Sequence, residues 1–343
     1  MYGVCVVICL HGWEAAENAF ECVFGAVAGE RVVIVCDDGK VEVGRTFAEG
    51  ALALGLWTRF VVLDTNGEFR KDVPRHLLEV LSGQKPDLYV NLLRGVGEEV
   101  PFRIKLIHLE TRGGRVRLGH CPGVNLRMLT DGALALSAEE HREMQGFAGR
   151  LMRELGQPVG VEVVSPSGTD VSFSVVGREF FTDTVVDWKS LRWMNLPTGE
   201  VIVAPVEDSL EGRLVCDVAV GGVGRLRSPV ELTVKKGEVV EAVSEDKEAL
   251  RGVRSALDTD EWAKVVGEFA FGINPKAKSL EEFLEAEKIL GTIHFAFGHN
   301  TDMPGGRNVS SNHMDFLVSK PTVKVIWKDG GKKTVLREEK FEI

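Results

Sequence analysis

Two periodicities of apolar and polar positions run along the 343-residue chain, and the change between them falls near residue 156. Before it, short unbroken apolar runs alternate with longer amphipathic stretches. "RVVIVCDDG" (31–39) reads as a strand entering an Asp-Asp-Gly turn, and "VEVGRTFAEGALALGLW" (41–57) as a helix with small residues on its packed face. "RFVVLDT" (59–65) and "PDLYVNLL" (86–93) read as further strands, separated by a helix in "VPRHLLEVLSGQ" (73–84). The run Val4–Leu10 is too short to span a bilayer and reads as a buried first strand. "SAEEHREMQGFAGRLMRELG" (137–156) has a Ser N-cap, early Glu residues and a terminal Gly, so a helix is expected to close this region. Strand–helix alternation with continuous apolar strands predicts an α/β domain over 1–156 with a mainly parallel sheet covered on both faces.

From 157 to 343 the pattern turns β-rich. "VGVEVVSPSGTDVSFSVVGREFFT" (159–182) is two strand-like runs around a Ser-Pro-Ser-Gly turn. "EVIVAPVED", "GRLVCDVAV", "VELTVKKGEVVEAV" and the closing "PTVKVIWKDGGKKTVLREEKFEI" add strands and hairpins, with helices expected around 246–264 and 279–289. The expectation is an α+β domain over 157–343 built on mixed or antiparallel sheet.

Inside this second region, period-two alternation isolates a few polar groups. In "TIHFAFG" (292–298), Ile293, Phe295 and Phe297 share one face, while His294 lies opposite with Thr292 and Ala296. "GEFAFG" (267–272) repeats the design, with Phe269 and Phe271 on one face and Glu268 and Ala270 on the other. Each strand taken alone is equally a strand with a hydrogen-bonded core histidine or a salt-bridged glutamate. In "HMD" (313–315), His313 and Asp315 project to one side, their Cα atoms roughly 6.5–7 Å apart. Glu200, opening the strand after Pro197-Thr198-Gly199, is a further candidate, although such a residue is commonly an exposed strand-edge acid. Nitrogen and oxygen donors without thiolate suit a catalytic zinc, cobalt, manganese, magnesium or ferrous ion rather than a structural zinc. Five such ligands with a bridging carboxylate can hold two ions about 3.5–4 Å apart.

Composition narrows the function classes. Hydrophobic residues make up 44% of the chain and charged residues 27%, which is ordinary globular usage. A formal charge of −10 gives no broad basic surface, so nucleic acid is not an expected partner, and no membrane-spanning run occurs. Cys5, Cys9, Cys22, Cys36, Cys121 and Cys216 form no C-x-x-C pair, which fits reduced, packed thiols and a cytoplasmic location. The chain contains no phosphate loop, G-x-G-x-x-G or G-x-S-x-G motif. "TRGGRVRLGHCPG" (111–123) reads as an Arg/Gly-rich surface loop, and His11, His76, His108, His120 and His141 lack ligand spacing.

"NLPTGEV" (195–201), "GEFAFGINPKA" (267–277), "EKILGTIHFAFG" (287–298), "NVSSNHMDFLV" (308–318) and "SPSGTDVSF" (165–173) together resemble the aminopeptidase T-like metallopeptidases. Matched residue by residue, that family's metal ligands fall on Glu200, Glu268, His294, His313 and Asp315; spacing alone reaches the last four. The resemblance implies a homodimeric aminopeptidase removing N-terminal residues from small peptides through water activated by two divalent metal ions (Zn, Co, Mn or Mg). Glu200 and Glu268 are then catalytic as well as ligating. Where the family usually carries an oxyanion-stabilising tyrosine, this chain has Thr301, a shorter donor, with His299, Asn300 and Arg307 nearby. "VEDSLEGRLVCD" (206–217) also resembles the related dihydroxypyridine ring-cleaving dioxygenases, which would imply one Fe(II) held by His294, His313 and Asp315. A non-catalytic relative on the same scaffold is the third reading.

Overall fold

The computed structural model describes residues 11–83, 85–112, 115–187 and 193–343; the expected strand Val4–Leu10 lies outside them. In chain order the helices are α1 (Gly12–Cys22), α2 (Val41–Ala53), α3 (Arg75–Leu81), α4 (Val100–Thr111), α5 (Leu126–Asp131), α6 (Ala138–Leu155), α7 (Lys247–Leu257) and α8 (Phe283–Ala286). Strands β1 (Arg31–Asp37), β2 (Trp57–Leu63), β3 (Leu88–Leu92) and β4 (Arg117–His120) come from the α/β region. They are followed by β5 (Gly160–Val164), β6 (Asp170–Ser174), β7 (Phe181–Thr182), β8 (Trp193–Asn195), β9 (Glu200–Val203) and β10 (Glu211–Cys216). Next are β11 (Ala219–Val220), β12 (Gly224–Arg225), β13 (Val230–Lys235), β14 (Glu238–Ser244) and β15 (Val266–Gly272). The last are β16 (Ile293–Gly298), β17 (His313–Val318), β18 (Thr322–Ile326), β19 (Lys332–Arg337) and β20 (Lys340–Phe341). The chain separates into one unit of Met1–Glu143 with Arg192–Pro197, and a second of Met144–Leu191 with Thr198–Ile343.

The first unit is the expected parallel sheet, ordered β2-β1-β3-β4-β8. Val33, Val35, Tyr89 and Leu118 pack with Phe102 and Leu106 of α4 in its core. Helix α2 stops at Ala53, and Gly55, at φ +81°, releases Trp57 into β2 rather than into the helix. The stretch expected as an Arg/Gly surface loop is different in kind. Residues 117–120 form β4, buried between β3 and β8, and Arg117 donates to the Phe24 and Gly25 carbonyls while pairing with Glu30. Buried guanidinium is tolerated there because its donors are satisfied. Cys36, Cys121 and Cys216 are buried free thiols.

Between β1 and β3 the strand order reverses, the place where an open α/β sheet leaves a crevice at its carboxyl edge. Here charged side chains of the unit itself fill it. Arg70 donates to Asp37 at 2.5 Å and to Glu99 at 2.6 Å, Arg94 reaches Glu99 at 2.5 Å, and the Arg94 N–H bonds Asp37 at 2.7 Å. Burial would raise the Glu99 carboxyl, but bonds from Arg70 and Arg94 overcome it and hold it at about 2, against an ordinary 4.5.

In the second unit, strands pair antiparallel in two sheets, ordered β14-β13-β10-β6-β5-β18-β19-β20 and β12-β11-β17-β16-β15-β9-β7. An aromatic layer joins their facing sides: Phe173 of β6 lies 5.0 Å from Phe269 and 5.6 Å from Phe295, and Phe269 is 5.1 Å from Phe295. The two helices are shorter than expected. Helix α7 ends at Leu257, with Asp260 turning back to bond the Trp262, Ser310 and Ser311 groups. The expected 279–289 helix contracts to the single turn α8, after which bonded turns carry the chain to Thr292.

One irregularity fixes the face on which Glu268 projects. Val266 pairs with Phe297, but Glu268 pairs with Ala296, so Gly267 is the extra residue of a β-bulge. A Cβ at Gly267 would lie 2.7 Å from the Gly298 carbonyl oxygen, and the Gly267 carbonyl is bonded by Asn300 Nδ2 at 2.9 Å. Gly267→Ala is therefore expected to lower stability by about 1–3 kcal/mol, read as a drop in the thermal midpoint; an unchanged midpoint would contradict the bulge's tightness. For the first unit, a depressed folded-state pKa means stability present above about 4.5 and lost as pH falls toward 2. Glu99→Gln should cost about 2 kcal/mol at neutral pH in urea unfolding. The gap to the unsubstituted protein should close on acidification, and a pH-independent gap would refute the ion-pair account.

Candidate metal centre

The sheet of β9, β15, β16 and β17 carries the aromatic layer on one face and a polar cluster on the other. Its cross-strand register explains the cluster. Ala296 is flanked by Glu268 on β15 and Asp315 on β17, so both carboxylates stand on one face with a methyl between them. One pair further along, His294 is opposite Ala270; at the other end His313 is opposite Gly298, and Glu200 is opposite Gly272. Every one of these polar side chains thus neighbours an Ala or Gly, and the space a larger residue would fill is left to the charged groups.

The structure brings Glu200, Glu268, His294, His313 and Asp315 together. His294 Nε2 lies 3.3 Å from Glu268 Oε1, 3.5 Å from Glu200 Oε1 and 3.9 Å from Asp315 Oδ1. His313 Nε2 lies 3.3 Å from both Glu268 Oε2 and Asp315 Oδ1. Glu268 therefore turns one oxygen to each ring. His313 Nδ1 donates to the His299 carbonyl at 2.8 Å, which leaves Nε2 facing the carboxylates, the usual outer partner of a metal-binding imidazole. Three sets of donor atoms converge closely enough for one cation each: Glu200 with Glu268 and His294, Glu268 with His313 and Asp315, and Glu287 with His294 and Asp315.

Electrostatics in the cluster are out of balance without a cation. Glu200, Glu268, Glu287 and Asp183 are buried, and Lys288 is buried among Asp183, Glu200 and Glu287. Burial pushes the carboxyls of Glu200, Asp183 and Glu287 above their ordinary range, and the one ammonium pulls back on all three. Burial would lower His294, but Glu200 and Glu268 lift it to about 9; His313, whose side chain is 34% exposed, is lifted against its partial burial well above its ordinary value by Asp315 and Glu268. Burial would likewise raise Glu268, and bonds from the two rings hold it below its usual range instead. Glu200 Oε1 and His294 Nδ1 are buried without a hydrogen-bond partner. An orphaned carboxylate oxygen among nitrogen and oxygen donors is what a divalent cation fits, so the residues present suit a metal ion.

Thr301 lies on the loop between β16 and β17. It is exposed, and its hydroxyl shares a 3.2 Å bond with His299 Nε2. Asn300 is committed to the loop, bonding the Gly267 carbonyl and the Asn308 N–H, and Arg307 is exposed. Asp183, Glu287 and Lys288 were not foreseen from the sequence. The adjacent acid and base of "EKILG", just before the His294 strand in an otherwise apolar segment, were the available signal for two of them; Asp183 in "TDT" offered none.

No curated protein matches the sequence. Among solved structures, wild-type AmpT from Thermus thermophilus superposes with a TM-score of 0.71 at 19% identity, covering 97% of this chain and 99% of that one. A 2,5-dihydroxypyridine dioxygenase from Pseudomonas putida KT2440 superposes with a TM-score of 0.68 at 17% identity, covering 96% of each chain. At these identities both show the fold. The family model of the thermophilic metalloproteases (M29) matches residues 150–341, a segment that holds the whole cluster and more than half of the chain. On that match, the chain belongs to the thermophilic metalloprotease (M29) family.

Proposed function

We propose that this chain is a metal-dependent aminopeptidase whose centre takes two divalent ions. One would be held by Glu200, Glu268 and His294, the other by Glu268, His313 and Asp315, with Glu268 serving both through its separate oxygens. Charge is the observation that carries this reading. Among the described residues of the cluster, Asp183, Glu200, Glu268, Glu287 and Asp315 are five carboxylates against the single ammonium of Lys288. With all five ionised and both rings neutral, two divalent cations leave the cluster neutral, whereas one leaves it two charges short, a costly state in a buried site. Membership of a metalloprotease family, and the likeness to AmpT, support the hydrolytic direction.

When bound, zinc, cobalt, manganese or magnesium would supply Lewis-acid polarisation and bring the pKa of water toward neutrality. The chain's own residues do the rest. His313 is fixed by the His299 carbonyl and cannot rotate its Nε2 away without losing that bond. A carboxylate of this cluster beside the attacking water is the acceptor for its proton. Thr301 remains the candidate donor to the developing oxyanion, at the loop position where the resembled family has a tyrosine. Small peptides are the substrates of this reading, and a cytoplasmic homodimer is the assembly that accompanies it. Among the described residues no helix is long and apolar enough to cross a membrane.

A mononuclear ferrous reading has one observation in its favour: Asp315 Oδ1 lies 3.9 Å from His294 Nε2 and 3.3 Å from His313 Nε2, and a dioxygenase shares the fold. Metal analysis of chelator-stripped, reconstituted protein separates the two. Two equivalents of zinc, cobalt or manganese are expected, with amino acids released from unblocked peptides and none from N-acetylated ones. One ferrous ion with oxygen uptake would overturn the hydrolytic reading. His313→Ala should abolish peptide cleavage and lower metal occupancy while the first unit stays folded; survival of both occupancy and turnover would refute the ligand assignment.

A further inference from the structure

Glu200 is held at every polar atom but one. Its N–H donates to Asp183 Oδ1 at 2.7 Å, an oxygen that also accepts the Gly199 N–H at 2.9 Å. Its carbonyl accepts the Thr182 hydroxyl at 2.7 Å. Its Oε2 accepts the ammonium of Lys288. Only Oε1 is left, buried, unpartnered and 3.5 Å from His294 Nε2.

Lys288 is built into this arrangement from both ends. Its side chain is 2% exposed, with Glu287 Oε1 at 2.9 Å and Asp183 Oδ2 at 3.6 Å besides Glu200. Its carbonyl accepts the Asn274 N–H at 2.9 Å, and Asn274 Nδ2 donates to the Thr198 carbonyl at 2.7 Å. The backbone of the lysine and the turn leading into Glu200 are thus tied to one asparagine. The ammonium is hydrogen-bonded to Glu200 and lies in ion-pair range of Glu287 and Asp183, and these three carboxylates fix its place.

The geometry points to Lys288 and Asp183 as positioning residues that make Glu200 a one-oxygen ligand. This inference rests on the ligand assignment proposed above. A free carboxylate can bind a cation through one oxygen or both. With the ammonium on Oε2 and the Asp183 carboxylate on the backbone N–H, Glu200 presents Oε1 alone, on the side of His294. Lys288 also acts as a fixed cation, reducing what the bound ions must neutralise. Outer partners of this kind typically change metal affinity by about 10–100-fold when removed.

The test is titration of Co(II) into chelator-stripped full-length protein, followed by calorimetry and visible absorption, with Lys288→Met and Asp183→Asn beside the unsubstituted chain. In Lys288→Met one of the two ions should weaken by about 10–100-fold, its absorption band should change, and the other ion should keep its affinity. Asp183→Asn, which keeps side-chain shape and the acceptor for the backbone N–H groups, should weaken the same ion by less. Should Lys288→Met fail to fold, Asp183→Asn decides. Unchanged affinity and spectrum for both ions, or equal loss of both with a lowered thermal midpoint, would overturn the positioning role. An unsubstituted protein that takes up two Co(II) ions but cleaves no peptide would sink the aminopeptidase reading alone. One that takes up no Co(II) would sink both.

Discussion

Carboxylates drawn into a protein interior repel one another and lose their hydration, and the second unit of this chain gathers five in one cluster, three around Lys288, with Glu268 and Asp315 beside the two histidines. Local geometry leaves few escapes from that repulsion. Lys288 is already engaged by three carboxylates, the two histidine rings are shared among Glu200, Glu268 and Asp315, and Glu200 Oε1 has no hydrogen-bond partner. The carboxylates facing the two rings favour the protonated imidazoles, a charge pattern that the proposed cations would replace. The bulge, the small residues and the clamp on Glu200 follow from the need to hold such groups in place.

The scaffold meets that need by dividing the labour of a sheet between its faces. Phe269, Phe295 and Phe173 lock one side into the sandwich, while Ala270, Ala296, Gly272 and Gly298 on the other side make room for charge. Because alternation is the only thing separating the two sets, a slip of one residue would invert them. The bulge at Gly267 absorbs the irregularity at the end of β15, so that Val266 joins the aromatic side and Glu268 joins the polar side. In the first unit, charge is used differently. Arg70 and Arg94 meet Asp37 and Glu99 in near balance at the carboxyl edge of the sheet, and the crevice there is closed by the protein's own ion pairs.

Much of this was legible in the sequence where a period was long enough to read. The parallel strands β1, β2 and β3 each carry an apolar run (32–36, 60–63 and 88–90), and the "FAFG" strands show period two clearly, which is why Glu268, His294, His313 and Asp315 could be placed on one face. What was missed had no period to show. β4 has four residues and β8 three; in β4, Arg117, one of the arginines that suggested a surface turn, has a buried partner set that only tertiary structure supplies. Glu287 and Lys288 sit in turns after the single-turn α8, where side-chain direction is set by the fold rather than by spacing. Asp183, which holds both the backbone of Glu200 and the ammonium, lies in an irregular stretch beside a two-residue strand.

The central claim is that this one face holds two cations that share Glu268. Anomalous diffraction from crystals of the full chain loaded with Zn(II) or Co(II) tests it most directly. Two peaks are expected, one among Glu200, Glu268 and His294 and the other among Glu268, His313 and Asp315. A single peak bound by His294, His313 and Asp315 without Glu268, or ions found only elsewhere on the chain, would contradict it.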